Sequence, residues 1–248
     1  MLFKSEGYKF EDYVEHTNRI LNADILFDHF VETMKGQGYD RIIFSIPRDI
    51  ELSKAQNRLG LFHNYPDDWQ KFYAEKKFES LDPVLKFAGS YPWAFRWRDI
   101  ERTHTLSHRQ IRFFRQGEEA GLNNGIGIPL HGKHAQIAGV AMACSVMNPG
   151  RQSNLDLISA YCQQFYLSFK RLNCRDAPPV GVVATLTPKE TEVLTWLATG
   201  CSDEEIGRKL GISANTVDSH LRSIYHKLQV NGRLPAVVKG IMSGLINP

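Results

Sequence analysis

The chain has 248 residues, 42% hydrophobic and 23% charged, with 30 basic against 27 acidic side chains. These ordinary globular values exclude a wholly disordered, collagen-like or coiled-coil chain, and the length allows one large domain or two modest ones. A net charge of +3 does not by itself announce a nucleic-acid partner, so the distribution of charge along the chain matters more. No run of about 18 apolar residues exists, so no transmembrane helix is expected. Met1-Leu2-Phe3-Lys4-Ser5-Glu6 lacks the apolar stretch of a secretory signal. Cys144, Cys162, Cys174 and Cys201 contain no C-x-x-C pair. Reduced thiols in a cytoplasm fit them better than a zinc site or a disulfide framework.

Phe10 to Leu21 and Ile25 to Met34 carry apolar residues at helical spacing. Arg41-Ile42-Ile43-Phe44-Ser45-Ile46 is short, β-branched and follows Gly38, as a strand does. Gly125 to Pro129 and Ile137 to Val146 read the same way, whereas Ser107 to Ala120 and Ser153 to Leu172 read as helices. Helices flanking strands that return after a long excursion predict an α/β/α sandwich with a mostly antiparallel sheet. Arg175-Asp176-Ala177-Pro178-Pro179-Val180-Gly181 then breaks the pattern. Two prolines prevent a helix from running through, so 175–185 is expected to be a linker between domains 1–174 and 186–248.

From Leu186 onward the local signals are helical. Thr187-Pro188-Lys189-Glu190 and Ser202-Asp203-Glu204-Glu205 are capping boxes, with Pro188 suited to a first helical position. Gly200 is a natural left-handed stop, and Gly211-Ile212-Ser213 forms a turn whose serine caps the next helix. That helix puts Val217, Leu221, Ile224 and Leu228 on one face. A helix, a short glycine-containing turn and a second helix make a helix-turn-helix layout. Asn215, Ser219, Arg222, Ser223 and His226 are expected to point away from the core, and most can hydrogen-bond a base edge. Charge is also split. Residues 186–205 hold one basic side chain against five acidic ones, and residues 218–248 hold four against one. The reader helix and the residues after it can therefore face phosphates. A plain helical bundle with a solvated polar face is the competing reading.

Leu186 to Leu194, Gly200, Ile206 to Leu210, Asn215 to Leu221 and Lys227-Leu228 together resemble the DNA-binding domain of LuxR-type transcription regulators. The resemblance covers nearly all of the last 60 or so residues. It implies that the second motif helix enters the major groove and that a fourth helix completes an all-α four-helix domain and supports dimerisation. It makes Arg222 and Ser219 base or groove contacts, and puts Thr216, His220 and Lys227 closer to phosphates. Asp218 stands where some relatives carry Arg or Lys. A carboxylate there cannot bind phosphate but could accept from a cytosine amino group.

The densest aromatic segment runs from Tyr65 to Tyr73, followed by Phe78, Leu81, Asp82 and Pro83, then Tyr91, Trp93, Phe95 and Trp97. If Asp67 caps a short helix, Trp69 and Tyr73 lie one turn apart. Such a wall with a few polar handles suits a mostly apolar small molecule carrying an amide or ester. An aromatic core with Asp82 as a helix cap before Pro83 is the structural alternative. Tyr65 to Pro83, with Trp97 and Gly125, resembles the autoinducer-binding domain of quorum-sensing LuxR-type proteins, over most of the first 170 or so residues. That implies an N-acyl-homoserine lactone ligand and no cofactor. Trp69 would donate to the lactone carbonyl, Tyr65 to the amide carbonyl, and Asp82 would accept the amide N–H. Tyr73 and Trp97 would wall the head group, Phe113 and Leu122 would line the pocket, and Gly125 would permit close packing at the start of a strand. Several relatives carry a hydroxyl near Ala141, where this chain has none.

The expected whole is a ligand-responsive, cytoplasmic, homodimeric regulator of α+β class that binds an inverted-repeat double-stranded DNA site. RNA polymerase is a candidate partner, and no membrane, metal or catalytic residue is expected. The alternative is the same architecture with a non-lactone ligand or none. A lactone hydrolase would need a metal cluster or an activated nucleophile; His104 and His108 share helical spacing but lack acidic partners. A receiver domain would need paired acidic residues after its first strand, which Pro47-Arg48-Asp49 does not supply.

Overall fold

A computed structural model describes residues 8–132, 136–146, 153–174 and 185–248. Residues 1–6 and the expected linker, but for its last residue, fall outside them. The chain forms two compact units.

The N-terminal unit begins with helices α1 (Phe10–Arg19) and α2 (Ala23–Gly36), then strands β1 (Arg41–Arg48) and β2 (Phe62–His63). Helix α3 (Asp67–Glu75), a 3-10 turn at Phe78–Ser80 and helix α4 (Pro83–Ser90) follow. Next come β3 (Phe95–Arg96), α5 (Trp97–Thr103), α6 (His108–Glu119), β4 (Asn123–His131), β5 (Ile137–Cys144) and α7 (Leu155–Asn173). The strands pair antiparallel throughout in the order β2-β1-β5-β4-β3, with Ile43 opposite Ala141 and Gly127 opposite the same residue. Helices α1, α2 and α7 pack together on one core, while α4 and α5 pack against β4.

Side-chain alternation gives the two faces of this sheet opposite characters. Ile42, Phe44, Ile46, Ile126, Ile128 and Met142 turn toward α2 and α7, where they meet Phe30, Phe165 and Phe169 in a solid core. Phe30 and Phe165 stack at 4.5 Å between ring centroids. The other face carries Ile43, Ser45 and Pro47 from β1, Gly125 and Gly127 from β4, and Gly139 and Ala141 from β5. These are mostly small, so this face leaves space that the helices crossing it do not fill.

Two local expectations need correction. Asp67 is the first residue of α3 and not its cap; Pro66 holds the cap position and no side chain caps there. A carboxylate in the first turn still complements the helix dipole. Gly125 lies inside β4 and not at its start.

The C-terminal unit is all helical: α8 (Pro188–Ala198), α9 (Asp203–Leu210), α10 (Ala214–Leu228) and α11 (Arg233–Met242). Both capping boxes form, with Thr187 accepting from the Glu190 amide and Ser202 from the Glu205 amide. Each such cap contributes about 1 kcal/mol. Gly211 ends α9 at φ 67°, and Ser213 caps α10 by accepting from Thr216 N–H. Val193, Leu194, Leu197, Ile206, Val217, Leu221, Ile224 and Leu228 form its core with Ala236 and Ile246. A Cβ on Gly207 would sit 2.6 Å from the Ile212 carbonyl oxygen, so the α9–α10 turn closes only over glycine.

Candidate ligand cavity and reader helix

A cavity of about 900 Å³ lies on the hollow face of the sheet in the N-terminal unit. Tyr65, Trp69, Tyr73, Asp82, Trp97, Phe113, Leu122 and Ala141 all line it. Gly125 does not, but it supports the wall. A Cβ built on it would fall 2.0 Å from the Trp97 ring, so only glycine lets the indole lie on β4. Gly127 does the same for Phe95, at 2.3 Å. Trp69, Tyr73 and Phe113 form one aromatic cluster, with Trp69 and Phe113 centroids 5.7 Å apart and Tyr73 and Phe113 6.1 Å apart. Helix α3 presents Trp69 and Tyr73 from one face because they are four residues apart.

Asp82 is buried and has two jobs. Its Oδ1 accepts from the Val84 and Leu85 amides at 2.8 and 3.4 Å and so caps α4, while Oδ2 accepts from the Tyr73 hydroxyl at 3.0 Å. The cap and the pocket readings of this residue are thus compatible. Burial pushes its carboxyl up to about 6, against the Tyr73 hydroxyl and the two amides, which favour the charged form. Burial and the neighbouring Asp82 charge push the Tyr65 and Tyr73 phenols well above their ordinary range, so both remain protonated donors. The Tyr65 hydroxyl and the Trp97 indole N–H are buried with no hydrogen-bond partner among the described residues. A buried polar group left unpaired costs about 1–3 kcal/mol, which a ligand acceptor can relieve.

Ser45 is not among the sequence candidates. It lines the cavity from β1, and its Oγ accepts from Gly60 N–H at 2.9 Å, leaving the hydroxyl proton free to donate. The strand alternation of Ile43, Ser45 and Pro47 against Ile42, Phe44 and Ile46 is the signal that could have found it. Ser45 pairs with Gly139, two residues from Ala141, so a hydroxyl stands on the strand next to the one that lacks it.

In the C-terminal unit, Asn215, Thr216, Ser219, Arg222 and His226 are exposed on α10, with Asp218 and His220 half-buried beside them. The Ser219 hydroxyl donates to the Asn215 carbonyl at 3.0 Å, and Arg222 pairs with Asp218 at 2.7 Å. Ser223 departs from its expected direction. It turns onto α8 and donates to Glu190 Oε1 at 2.7 Å, while Lys227 Nζ reaches both Glu190 oxygens at 2.9 and 2.7 Å. Glu190 is buried. Burial alone would raise its carboxyl, but Lys227, Ser223 and Thr187 outweigh that and hold it at about 2. A residue read only as half of a capping box is therefore also the bolt between α8 and α10.

Among the described residues, no group of three or more His, Cys, Asp or Glu side chains could hold a metal ion, and no helix is long and apolar enough to cross a membrane. His104 Nδ1 lies 3.0 Å from the Thr103 hydroxyl, a local contact.

Residues 22–167 match the autoinducer binding domain family, and residues 184–239 match the luxR family of bacterial regulatory proteins. Transcriptional activator protein AhyR of Aeromonas hydrophila is 29% identical over 96% of this chain and 92% of its own. Transcriptional activator protein VanR of Vibrio anguillarum is 30% identical over 97% of this chain and 99% of its own. Among solved structures, Escherichia coli SdiA aligns with a TM-score of 0.63 at 18% identity, over 97% of this chain and 100% of that one. SdiA in complex with octanoyl-rac-glycerol aligns with a TM-score of 0.65 at 18% identity, over 96% of this chain and 95% of that one. The SdiA likeness bears on the fold; the relatives are transcriptional regulators and not enzymes. The chain belongs to the LuxR family of quorum-sensing transcriptional regulators, an autoinducer-binding domain followed by a DNA-binding helix-turn-helix.

Proposed function

We propose that this regulator binds an N-acyl-homoserine lactone in the cavity of domain 1–174 and, as a homodimer in the cytoplasm, an inverted-repeat DNA site through domain 186–248, with 175–185 as the linker. The observation that carries this reading is a buried carboxylate beside a buried, unpaired phenol in an aromatic-walled cavity. An acyl-homoserine lactone offers two carbonyl acceptors and one amide donor. Tyr65 and Trp69 are the donors and Asp82 is the acceptor. Tyr73, held by Asp82, walls the head group together with Trp97, while Phe113, Leu122 and Ala141 line the remainder. Ser45 donates to a 3-oxo or 3-hydroxy group.

Ligand enclosed by the folded state and absent from the unfolded one stabilises by about 4 kcal/mol when it exceeds Kd roughly 1,000-fold. Folding and dimerisation then depend on ligand. Exposed Leu234, Val238 and Ile241 share one face of α11, and this apolar stripe supports pairing of two reader helices. A two-fold dimer reads half-sites about one DNA turn, or roughly 10 base pairs, apart. Asn215, Ser219 and Arg222 reach base edges, with Asp218 accepting from a cytosine amino group and Thr216, His220 and His226 nearer the backbone. Ser223 and Lys227 act mainly by fixing α10 on α8, and RNA polymerase is the expected further partner.

The testing experiment is thermal unfolding of the purified chain with lactones of short, medium and long acyl chain. A rise in melting temperature with at least one of them supports the reading, and none with any chain defeats it. The SdiA complex with octanoyl-rac-glycerol favours one second reading, an acyl glycerol in the same cavity. The same assay with a monoacylglycerol separates the two.

A further inference from the structure

The cavity and α10 leave one strongly charged surface of the N-terminal unit without a role. Residues 96–119 hold six arginines and no lysine, against four carboxylates. Arg98 on α5 and Arg109, Arg112 and Arg115 on α6 are exposed and form no ion pair among the described residues; Arg102 only approaches Asp99, at 3.9 Å. On α6 the three arginines fall within about one third of the helical circumference, running from Arg109 beside buried Phe113 to Arg115 beside Ile111, with Glu119 in the same arc. Like charges three residues apart on one exposed face repel one another, and only Arg115 has carboxylates, Glu118 and Glu119, a turn away on the same helix.

A cleft of about 700 Å³ opens beside this face, between α5 and α6. Its floor holds Leu106, Ile111 and Phe114, and Arg102 and Arg115 stand on its rim beside Glu101 and Glu118. His104, also on the rim, stacks edge-on with Phe87 at 5.1 Å, and Phe87 meets the Tyr91 ring at 4.7 Å. Two residues further, Trp93 is 70% exposed. Arginine, tyrosine and tryptophan are the side chains that dominate protein–protein hot spots.

The geometry points to this α5–α6 face as a docking surface for another protein, through a segment that carries carboxylates around an apolar side chain. The arginines pair bidentately with the carboxylates, and the apolar side chain enters the cleft. Duplex DNA, the other polyanion near such a regulator, presents phosphates outermost and keeps its apolar base faces stacked inside, so it matches the arginines better than the apolar floor. This inference depends on neither the lactone nor the operator reading.

The test uses the purified full chain and three fluorescent probes. The first is a short peptide of aspartates and glutamates around a central leucine–phenylalanine pair. The second replaces that pair with glycines, and the third is a duplex DNA of unrelated sequence. The first peptide should bind, with affinity falling on the order of tenfold in Arg109→Glu/Arg112→Glu and severalfold in Trp93→Ala or with the glycine peptide. Arg109→Gln/Arg112→Gln, which introduces no new charge, should give a smaller loss at an unchanged melting temperature. Absence of binding by the first peptide overturns the inference. So does equal binding of both peptides, or a loss in the arginine variants confined to the duplex, which would assign the face to phosphates.

Discussion

Replacing Asp82 with asparagine separates what its charge costs the empty protein from what it gives a ligand. Asparagine caps a helix as well as aspartate does, so α4 keeps its N-terminus. The folded carboxyl titrates near 6, whereas an ordinary aspartate titrates near 3.8. Between those values the folded chain holds a proton that the unfolded chain has lost. Stability of the empty protein therefore rises as pH falls through 6 and levels off below 3.8. A gap of about two units corresponds to roughly 3 kcal/mol at neutral pH. Asp82→Asn should recover a large part of it and raise the melting temperature of the ligand-free chain at pH 7.5. It should also flatten the pH 5–7.5 dependence of that temperature. A ligand N–H that donates to the carboxylate loses a charge-assisted bond, about 1.5–3 kcal/mol, or tenfold to roughly 150-fold in Kd. Scanning calorimetry and a lactone titration on the same preparations check both halves. An unchanged Kd together with an unchanged pH profile would refute the reasoning.

Tyr65→Phe removes a buried hydroxyl that has no partner among the described residues. Calorimetry should find the ligand-free chain unchanged or up to about 1 kcal/mol more stable, while titration finds lactone binding weaker by about 1–2 kcal/mol. Gly125→Ala drives a Cβ into the Trp97 ring; it should destabilise the N-terminal unit by about 1–3 kcal/mol in urea unfolding. Glu190→Gln breaks the bolt to Lys227 and Ser223. The wild-type carboxylate, held at about 2 against an ordinary 4.5, lends stability that is present above pH 4.5 and lost as pH falls toward 2. Acid unfolding followed by circular dichroism should show that loss in the wild type and not in the variant. Asp218→Ala frees Arg222 from its ion pair. If Arg222 then meets phosphate, gel-shift affinity rises for all sequences and the salt slope steepens by about 1; if it reads a base, only the specific site gains.

The fold was legible wherever a local rule decided it. Capping boxes at Thr187 and Ser202, the turn at Gly211 and the β-branched strand from Arg41 to Ile46 rest on near neighbours in the chain, and they form as read. The elements that escaped are short. Strands β2 and β3 span two residues each, too few for a period to register, and α4 hides behind a proline that also suits a turn. At the cavity, the aromatic wall announced itself by density, but Ser45 did not, because one hydroxyl in an apolar strand gains meaning only when the opposite face is known to be hollow. Ser223 was misdirected for a related reason. Its angle on α10 places it at the flank of the apolar stripe, and it turned inward because a buried carboxylate 33 residues earlier in the chain attracts it. No one-dimensional pattern carries that pairing.

The contrast between the two sides of the sheet has a practical corollary. Bulky aliphatics and phenyl rings on the α2–α7 side anchor the strands in register, so the opposite side, away from Gly125 and Gly127, is free to vary its contours without endangering the scaffold. Adding or trimming a methyl at Ser45, Gly139 or Ala141 should retune which guest is accepted, and a family of receptors with different tastes could be made from this one frame by editing three neighbouring positions.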